Sequence, residues 1–254
     1  MWPYPKVIAH RGGGILAPEN TLAGIRAGLA RGFRAIEFDV MLARDEAPIL
    51  MHDPQFGRTV AGSGNVVDYS AAELAALDAG SWLDPKFRGE PVPGLREVRE
   101  VCIANRIGMN IEIKPAPGFE VQTGRVAARL ARSVFARQLR APQADDAPLP
   151  LFSSFSFAAL MAAKEEAPDI PRGFLMDIIP SDWEEPLLQL QAVALHTNHK
   201  HLLPAQAQAV KQADYGLMCY TVNEPARARE ILAWGVDAFC TDRIDLFSPD
   251  FADD

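Results

Sequence analysis

The sequence is poor in cysteine, in basic runs and in long apolar stretches, and each shortage closes off a class of protein. Its three cysteines, Cys102, Cys219 and Cys240, sit in apolar surroundings with no CxxC pair and no histidine spaced for a zinc site. They read as buried free thiols rather than a disulfide framework or a zinc cluster. No stretch approaches the ~20 apolar residues that span a bilayer. The opening MWPYPKVIAHRGGG lacks a charged region followed by a long apolar run, so neither signal peptide nor membrane anchor is expected, and the expected location is cytoplasmic. With 25 Lys and Arg against 33 Asp and Glu, the formal net charge is −8. Without a basic patch, nonspecific binding to nucleic acid or to an anionic membrane is not expected. A small phosphate ester remains open as a ligand where a metal and a few cations reverse the sign locally. Neither GxxxxGK[ST] nor a well-formed GxGxxG is present, so the glycines at 12–14 read as a tight turn with exposed backbone donors.

What the chain has is 254 residues, 48% of them hydrophobic, enough for one large core. Short apolar runs that read as buried strands recur, each followed by a helically spaced segment: KVIAH, AIEFDV, MNIEIK, PLFSSF, GFLMD, AVALHT, YGLMCYT and VDAFCT. In PENTLAGIRAGLARG, Asn20 or Thr21 can cap a helix whose Leu22, Ile25 and Leu29 share a face and which Gly32 ends; NEPARAREILAWG repeats the pattern with Asn223, Pro225 and Gly235. Eight strand and helix units in this length match a closed (β/α)8 TIM barrel, and a doubly wound open sheet has the same local cadence. The expected organisation is a single barrel over residues 1–254 with an inserted cap at about 53–93.

Two interruptions mark that cap. In EFDVMLARDEAPILMHD too few residues separate two apolar runs for a crossover helix, so the second run must return antiparallel through a turn near Asp45. Facing Met41 with Ile49 brings His52 back to the level of Phe38 or Asp39. The following segment to Pro93 is far longer than the ~2 to 6 residues of a usual strand-to-helix loop. Ser70 and Glu73 form a capping-box pattern within it, and Phe56, Trp82 and Phe87 are expected to pack it down. The stretch APQADDAPLP reads as a surface loop.

Barrel enzymes carry their chemistry at the C-terminal ends of strands, and there the charged residues concentrate. His10 and Arg11 end the first strand, Glu37 and Asp39 lie in the second, and Glu112 and Lys114 in the third. Alternation along a strand puts Glu37 and Asp39 on one side, and likewise Glu112 and Lys114. Three carboxylates in one mouth repel each other unless a cation neutralises them. All-oxygen ligation by Glu37, Asp39 and Glu112 suits one divalent ion, Mg²⁺ or Ca²⁺, with Mn²⁺ also accommodated. The competing account pairs each carboxylate with Arg11, Lys114 or Arg34. His10 and His52 can flank one phosphate as proton donor and acceptor, with Arg11 and Lys114 as phosphate ligands. Glu19 reads first as an ordinary first-turn acid, with a partner of Arg11 as the second reading. His196, His199 and His201 read as polar mouth or surface residues. Ser153 and Ser154 lack a Ser/His/Asp pattern, and Asn223 is a candidate substrate contact.

The blocks HRG, PENT, EFDV, the HD of MHD, IEIK, YTVN and GVDAFCTD, in this order and across nearly the whole chain, resemble the glycerophosphodiester phosphodiesterase family, in particular its compact bacterial cytosolic enzymes. The resemblance implies a (β/α)8 barrel with a small insertion, catalytic histidines at His10 and His52, and metal carboxylates at Glu37, Asp39 and Glu112. It implies hydrolysis of diesters such as glycerophosphocholine to sn-glycerol 3-phosphate and an alcohol. Tyr220 stands where many members have Trp, and TDRID replaces the frequent TD followed by Pro. The competing readings are a phospholipase-type phosphodiesterase acting on intact lipid and a noncatalytic barrel-fold binding protein.

Overall fold

The computed structural model describes residues 2–141 and 148–251; most of the expected surface loop around position 145 lies outside them. In chain order the main elements are β1 (Val7–Ala9), α1 (Leu22–Ala30), β2 (Ala35–Leu42), β3 (Pro48–Leu50), α2 (Ala71–Ala75), α3 (Leu95–Ala104), β4 (Gly108–Ile113), α4 (Glu120–Val134) and α5 (Ala136–Arg140). They continue with β5 (Leu151–Ser154), α6 (Phe157–Glu166), β6 (Arg172–Met176), α7 (Glu184–Leu190), β7 (Ala194–Asn198), α8 (Pro204–Gln212), β8 (Gly216–Tyr220), α9 (Pro225–Ala233) and β9 (Ala238–Thr241).

Strand order runs β1-β9-β8-β7-β6-β5-β4-β2, and β1 pairs with β2, so eight parallel strands close on themselves. This is the (β/α)8 barrel, not the open sheet. Side-chain alternation builds two apolar zones. Ile8, Ala35, Met218, Ala238 and Cys240 cluster within the bore. Phe38, Ile111, Phe152, Leu195, Leu217 and Phe239 join the helices in the larger outer core. Cys102, Cys219 and Cys240 are free and buried, as expected; burial pushes the Cys102 and Cys219 thiols up to about 12.

The second-strand hairpin has the expected register. β3 pairs antiparallel with β2, Met41 opposite Ile49, through a turn in which Glu46 takes a positive φ of 60°. The Met51 amide donates to the Asp39 carbonyl at 3.2 Å, which delivers His52 to the mouth. Beyond it the insertion carries α2 and two short 3-10 turns, Val66–Asp68 and Pro85–Phe87. Ser70 and Glu73 form the expected capping box. Val60, Val66, Leu74 and Val92 pack on Met41, Ile49 and Met51 to make a small core of their own, with Phe56 and Tyr69 at its margin. Trp82 and Phe87 do not anchor it. Trp82 is 40% exposed, its indole held by the Ala79 carbonyl, and Phe87 lies under the Lys86 ammonium. Branched aliphatics fill the shallow seam where the large rings were expected.

At the first helix Thr21, not Asn20, is the cap: its hydroxyl accepts the Gly24 amide at 3.0 Å. The helix lies tight against the 12–14 turn because Gly28 has no side chain; a Cβ there would come within 2.4 Å of the Gly12 carbonyl oxygen. Gly14, at φ 52°, touches Asp242 so closely that a Cβ would stand 2.0 Å from its carbonyl oxygen. The Gly12 and Gly14 amides bond to Ala9 and His10 carbonyls. Those donors are consumed by the turn rather than exposed, and the glycines serve close packing.

Candidate active site

The strand ends bring all seven expected residues to one mouth. Pairing of β2 with β4 sets Asp39 beside Glu112 and Glu37 beside Asn110, so the three carboxylates offer ligand atoms within 4.8 Å of one another. A cavity of about 190 Å³ is lined by His10, Arg11, Glu37, His52, Glu112 and Tyr220, among others. A larger recess of about 500 Å³ opens at the opposite end of the barrel between Trp2, Tyr4 and Tyr215, away from the carboxylates.

The cluster is electrostatically under-compensated. Burial raises Glu37 well above the usual carboxylate range, and the charges of Asp39 and Glu112 push it further. Burial and Asp39 raise Glu112 to about 7. Asp39 moves the other way: its burial is outweighed by Arg11, Lys114 and His52 and by a bond from Asn20. Lys114 lies 3.2 Å from Glu112 and 3.5 Å from Asp39, and Arg11 Nε lies 3.4 Å from Asp39. Pairing is therefore real but partial, and Arg34 takes no part, its guanidinium bonding the Phe33 carbonyl. Glu37 Oε1 is buried without a partner. Such an orphaned carboxyl oxygen among three converging carboxyl groups fits a hard divalent cation.

Each histidine has its Nδ1 tied to a carboxylate. His10 Nδ1 lies 2.5 Å from Asp242 Oδ1 and His52 Nδ1 2.6 Å from Asp53 Oδ1, which leaves Nε2 of each ring as the nitrogen not engaged by that anchor. Burial holds His52 below the usual imidazole value, with Arg11 and Lys114 adding to the effect against the opposing charge of Asp39. The His10 ring also lies 3.7 Å from Glu37.

Several supporting residues escaped the sequence reading. Asn20 donates to Asp39 Oδ2 at 2.8 Å and accepts the Asp39 amide at 3.0 Å, a clamp made possible by its left-handed backbone, φ 57°. Asn223 clamps Asp242 in the same way, and it is not the helix cap: Glu224 holds that position and Pro225 opens α9. Glu19 precedes α1 and accepts Arg11 Nη1 at 2.8 Å, so the second of its two readings, partner of Arg11, holds and the first-turn acid does not. His196 is not a mouth residue: it is fully buried in the bore, and burial lowers it to about 3. His199 is half-buried and His201 lies at the surface, 3.6 Å from Asp177. The Ser154 hydroxyl donates to the Ile113 carbonyl. The aspartates next to His52 and Thr241 were visible in the HD and TD dipeptides, but nothing in their spacing marks them as imidazole partners.

A closed barrel with paired, carboxylate-anchored imidazoles and an acidic cluster at the strand C-termini defines an enzyme of the hydrolytic barrel class. The model of the glycerophosphoryl diester phosphodiesterase family matches residues 10–246, and the chain belongs to that family. It is 30% identical over 241 residues to a glycerophosphodiester phosphodiesterase of Caldanaerobacter subterraneus subsp. tengcongensis, covering 93% of each chain. Among solved structures, an Oleispira antarctica phosphodiesterase in complex with the product sn-glycerol-3-phosphate superposes with a TM-score of 0.86 at 35% identity, covering 98% of this chain and 96% of that one. A glycerophosphodiester phosphodiesterase from Agrobacterium tumefaciens gives 0.77 at 30% identity, covering 96% and 99%. Among the described residues no helix is long and apolar enough to cross a membrane.

Proposed function

We propose that this chain hydrolyses glycerophosphodiesters to sn-glycerol 3-phosphate and an alcohol, with His10 and His52 as the acid/base pair and one divalent cation held by Glu37, Asp39 and Glu112. The observation that carries the reading is the convergence of two imidazoles, each anchored through Nδ1, on the cavity that Glu37 and Glu112 line. Mg²⁺ or Ca²⁺ suits this donor set, with Mn²⁺ also accommodated; when bound, it supplies Lewis-acid neutralisation of the phosphate charge. Arg11 and Lys114 orient the phosphate and stabilise the charge that develops as the pentavalent transition state forms. One imidazole takes the proton of the attacking hydroxyl as the new P–O bond forms, and the other protonates the alcohol oxygen as the old P–O bond breaks.

The attacking oxygen belongs either to water or to the substrate's own glycerol, the latter giving a cyclic phosphate that water then opens. Isotope incorporation from labelled water, with a search for the cyclic product, separates the routes. A cytoplasmic location belongs to the same reading and is supported by three free, buried thiols. To test the function, EDTA-treated protein is assayed for glycerol 3-phosphate release from several glycerophosphodiesters with Mg²⁺, Ca²⁺ and Mn²⁺ restored in turn. Metal-restored release is expected; activity on phospholipid vesicles alone would replace this reading by the phospholipase one.

A further inference from the structure

The insertion reaches the residues of the site. Residues 57–60 form a tight turn closed by the Gly57 amide on the Val60 carbonyl at 2.8 Å, and from it Arg58 reaches two carboxylates at once. Its Nη1 and Nη2 donate to Glu19 Oε2 and Oε1 at 2.6 and 2.7 Å, and its Nε donates to Asp53 Oδ2 at 2.6 Å. Each carboxylate holds a residue of the site with its remaining capacity: Glu19 Oε1 accepts Arg11 Nη1 at 2.8 Å, and Asp53 Oδ1 meets His52 Nδ1 at 2.6 Å. One guanidinium thus joins the phosphate-binding arm of β1 to the imidazole arm of the hairpin.

We propose that Arg58 is a positioning residue that sets Arg11 and His52 together, through Glu19 and Asp53, so that the cap determines the geometry of the reacting pair. This rests on the roles of Arg11 and His52 proposed above. The Arg58 side chain is 44% exposed, and an exposed ion pair adds little to stability. What the fork supplies is orientation: bidentate bonding fixes the plane of the Glu19 carboxylate, and the third bond fixes that of Asp53. The His10 arm, anchored by Asp242 and Asn223, has no part in this chain of bonds and serves as an internal control.

Arg58→Ala, Arg58→Lys and the pair Glu19→Gln with Asp53→Asn are compared in the full chain. Arg58→Ala is expected to lower kcat/KM by about 10- to 100-fold. Arg58→Lys should recover part of this, since a point charge satisfies one carboxylate at a time. Adding Arg58→Ala to the Glu19→Gln/Asp53→Asn pair should cost nothing further. Independently of activity, the His52 imidazole Nδ1 proton should lose its protection from solvent exchange in Arg58→Ala while the His10 one keeps it, read by proton NMR. Wild-type activity in Arg58→Ala, a full multiplicative loss on the double background, retained His52 protection, or joint loss of both imidazole protons would each overturn the proposal. Absence of diesterase activity in the wild type counts against the proposed function instead, and the imidazole protons then decide on Arg58.

Discussion

Nδ1 of His10 and Oδ1 of Asp242 stand 2.5 Å apart although 232 positions separate them in the chain. The carboxylate is itself clamped, accepting the Asn223 amide group at 3.0 Å while its own backbone amide donates to Asn223 Oδ1 at 2.9 Å. His10→Ala and His52→Ala should each lower kcat by about 10²- to 10⁴-fold, the usual range for a positioned general acid or base. Asp242→Asn should lose much of the same factor by exchanging the anionic acceptor for an amide that no longer selects one tautomer. Combining it with His10→Ala should add almost nothing. Steady-state kinetics with far-UV circular dichroism checks this, and a near-normal Asp242→Asn enzyme would refute the anchoring role.

Asn20 and Asp39 make a reciprocal pair in a fully desolvated place, Asp39 being 1% exposed. Removing the amide leaves a buried carboxylate and a backbone N–H without that partner, so Asn20→Gly should cost about 1–3 kcal/mol. Asn20→Ala should cost about 1 kcal/mol more, because Ala resists the left-handed backbone that glycine accepts. Urea denaturation of both variants separates the bond from the backbone effect; equal stabilities would mean that φ 57° carries no strain.

The raised carboxylates fix the sign of two pH effects. Glu112 titrates near 7 in the folded chain, against a model-compound value of 4.5. Its contribution in the metal-free protein is therefore complete below about 4.5 and is lost as pH rises through 7. The apo protein should lose stability over that window, and Glu112→Gln should flatten the loss. A divalent cation must displace these protons, so its affinity should rise with pH through 7 and binding should release protons. Calorimetry in two buffers of different ionisation enthalpy measures the release; pH-independent affinity would remove Glu112 from the ligand set.

His196 carries the opposite dependence. Its folded value of about 3 lies below the ordinary 6.5, so its neutral burial is fully accommodated above 6.5 and becomes a liability as pH falls toward 3, where the unfolded chain takes up a proton the folded one refuses. The slope is at most about 1.4 kcal/mol per pH unit. Thermal unfolding at pH 7 and 4.5 should show a smaller acid decline for His196→Asn than for the wild type. Gly173→Ala should also destabilise the protein, since the new Cβ would stand 2.5 Å from His196 Nε2, and overpacking of this kind costs about 1–3 kcal/mol. Recovery in the combined Gly173→Ala/His196→Asn variant tests the clash.

The sequence by itself determined the strand cadence, the hairpin and the strand-end positions of Glu37, Asp39, Glu112, His10 and His52, because period-two alternation and short-range turn chemistry are local properties. His52 could be placed from the length of one turn and the facing of Met41 and Ile49. Only the tertiary structure decided which groups hold those residues. Asp242, Asn223, Glu19 and Arg58 become partners when the barrel closes and the cap folds down, and sequence distance carries no trace of such contacts. The depth of His196 was hidden for the same reason: a polar residue near a strand end reads as exposed, and only the closed barrel buries it over Gly173, which has no side chain to displace it.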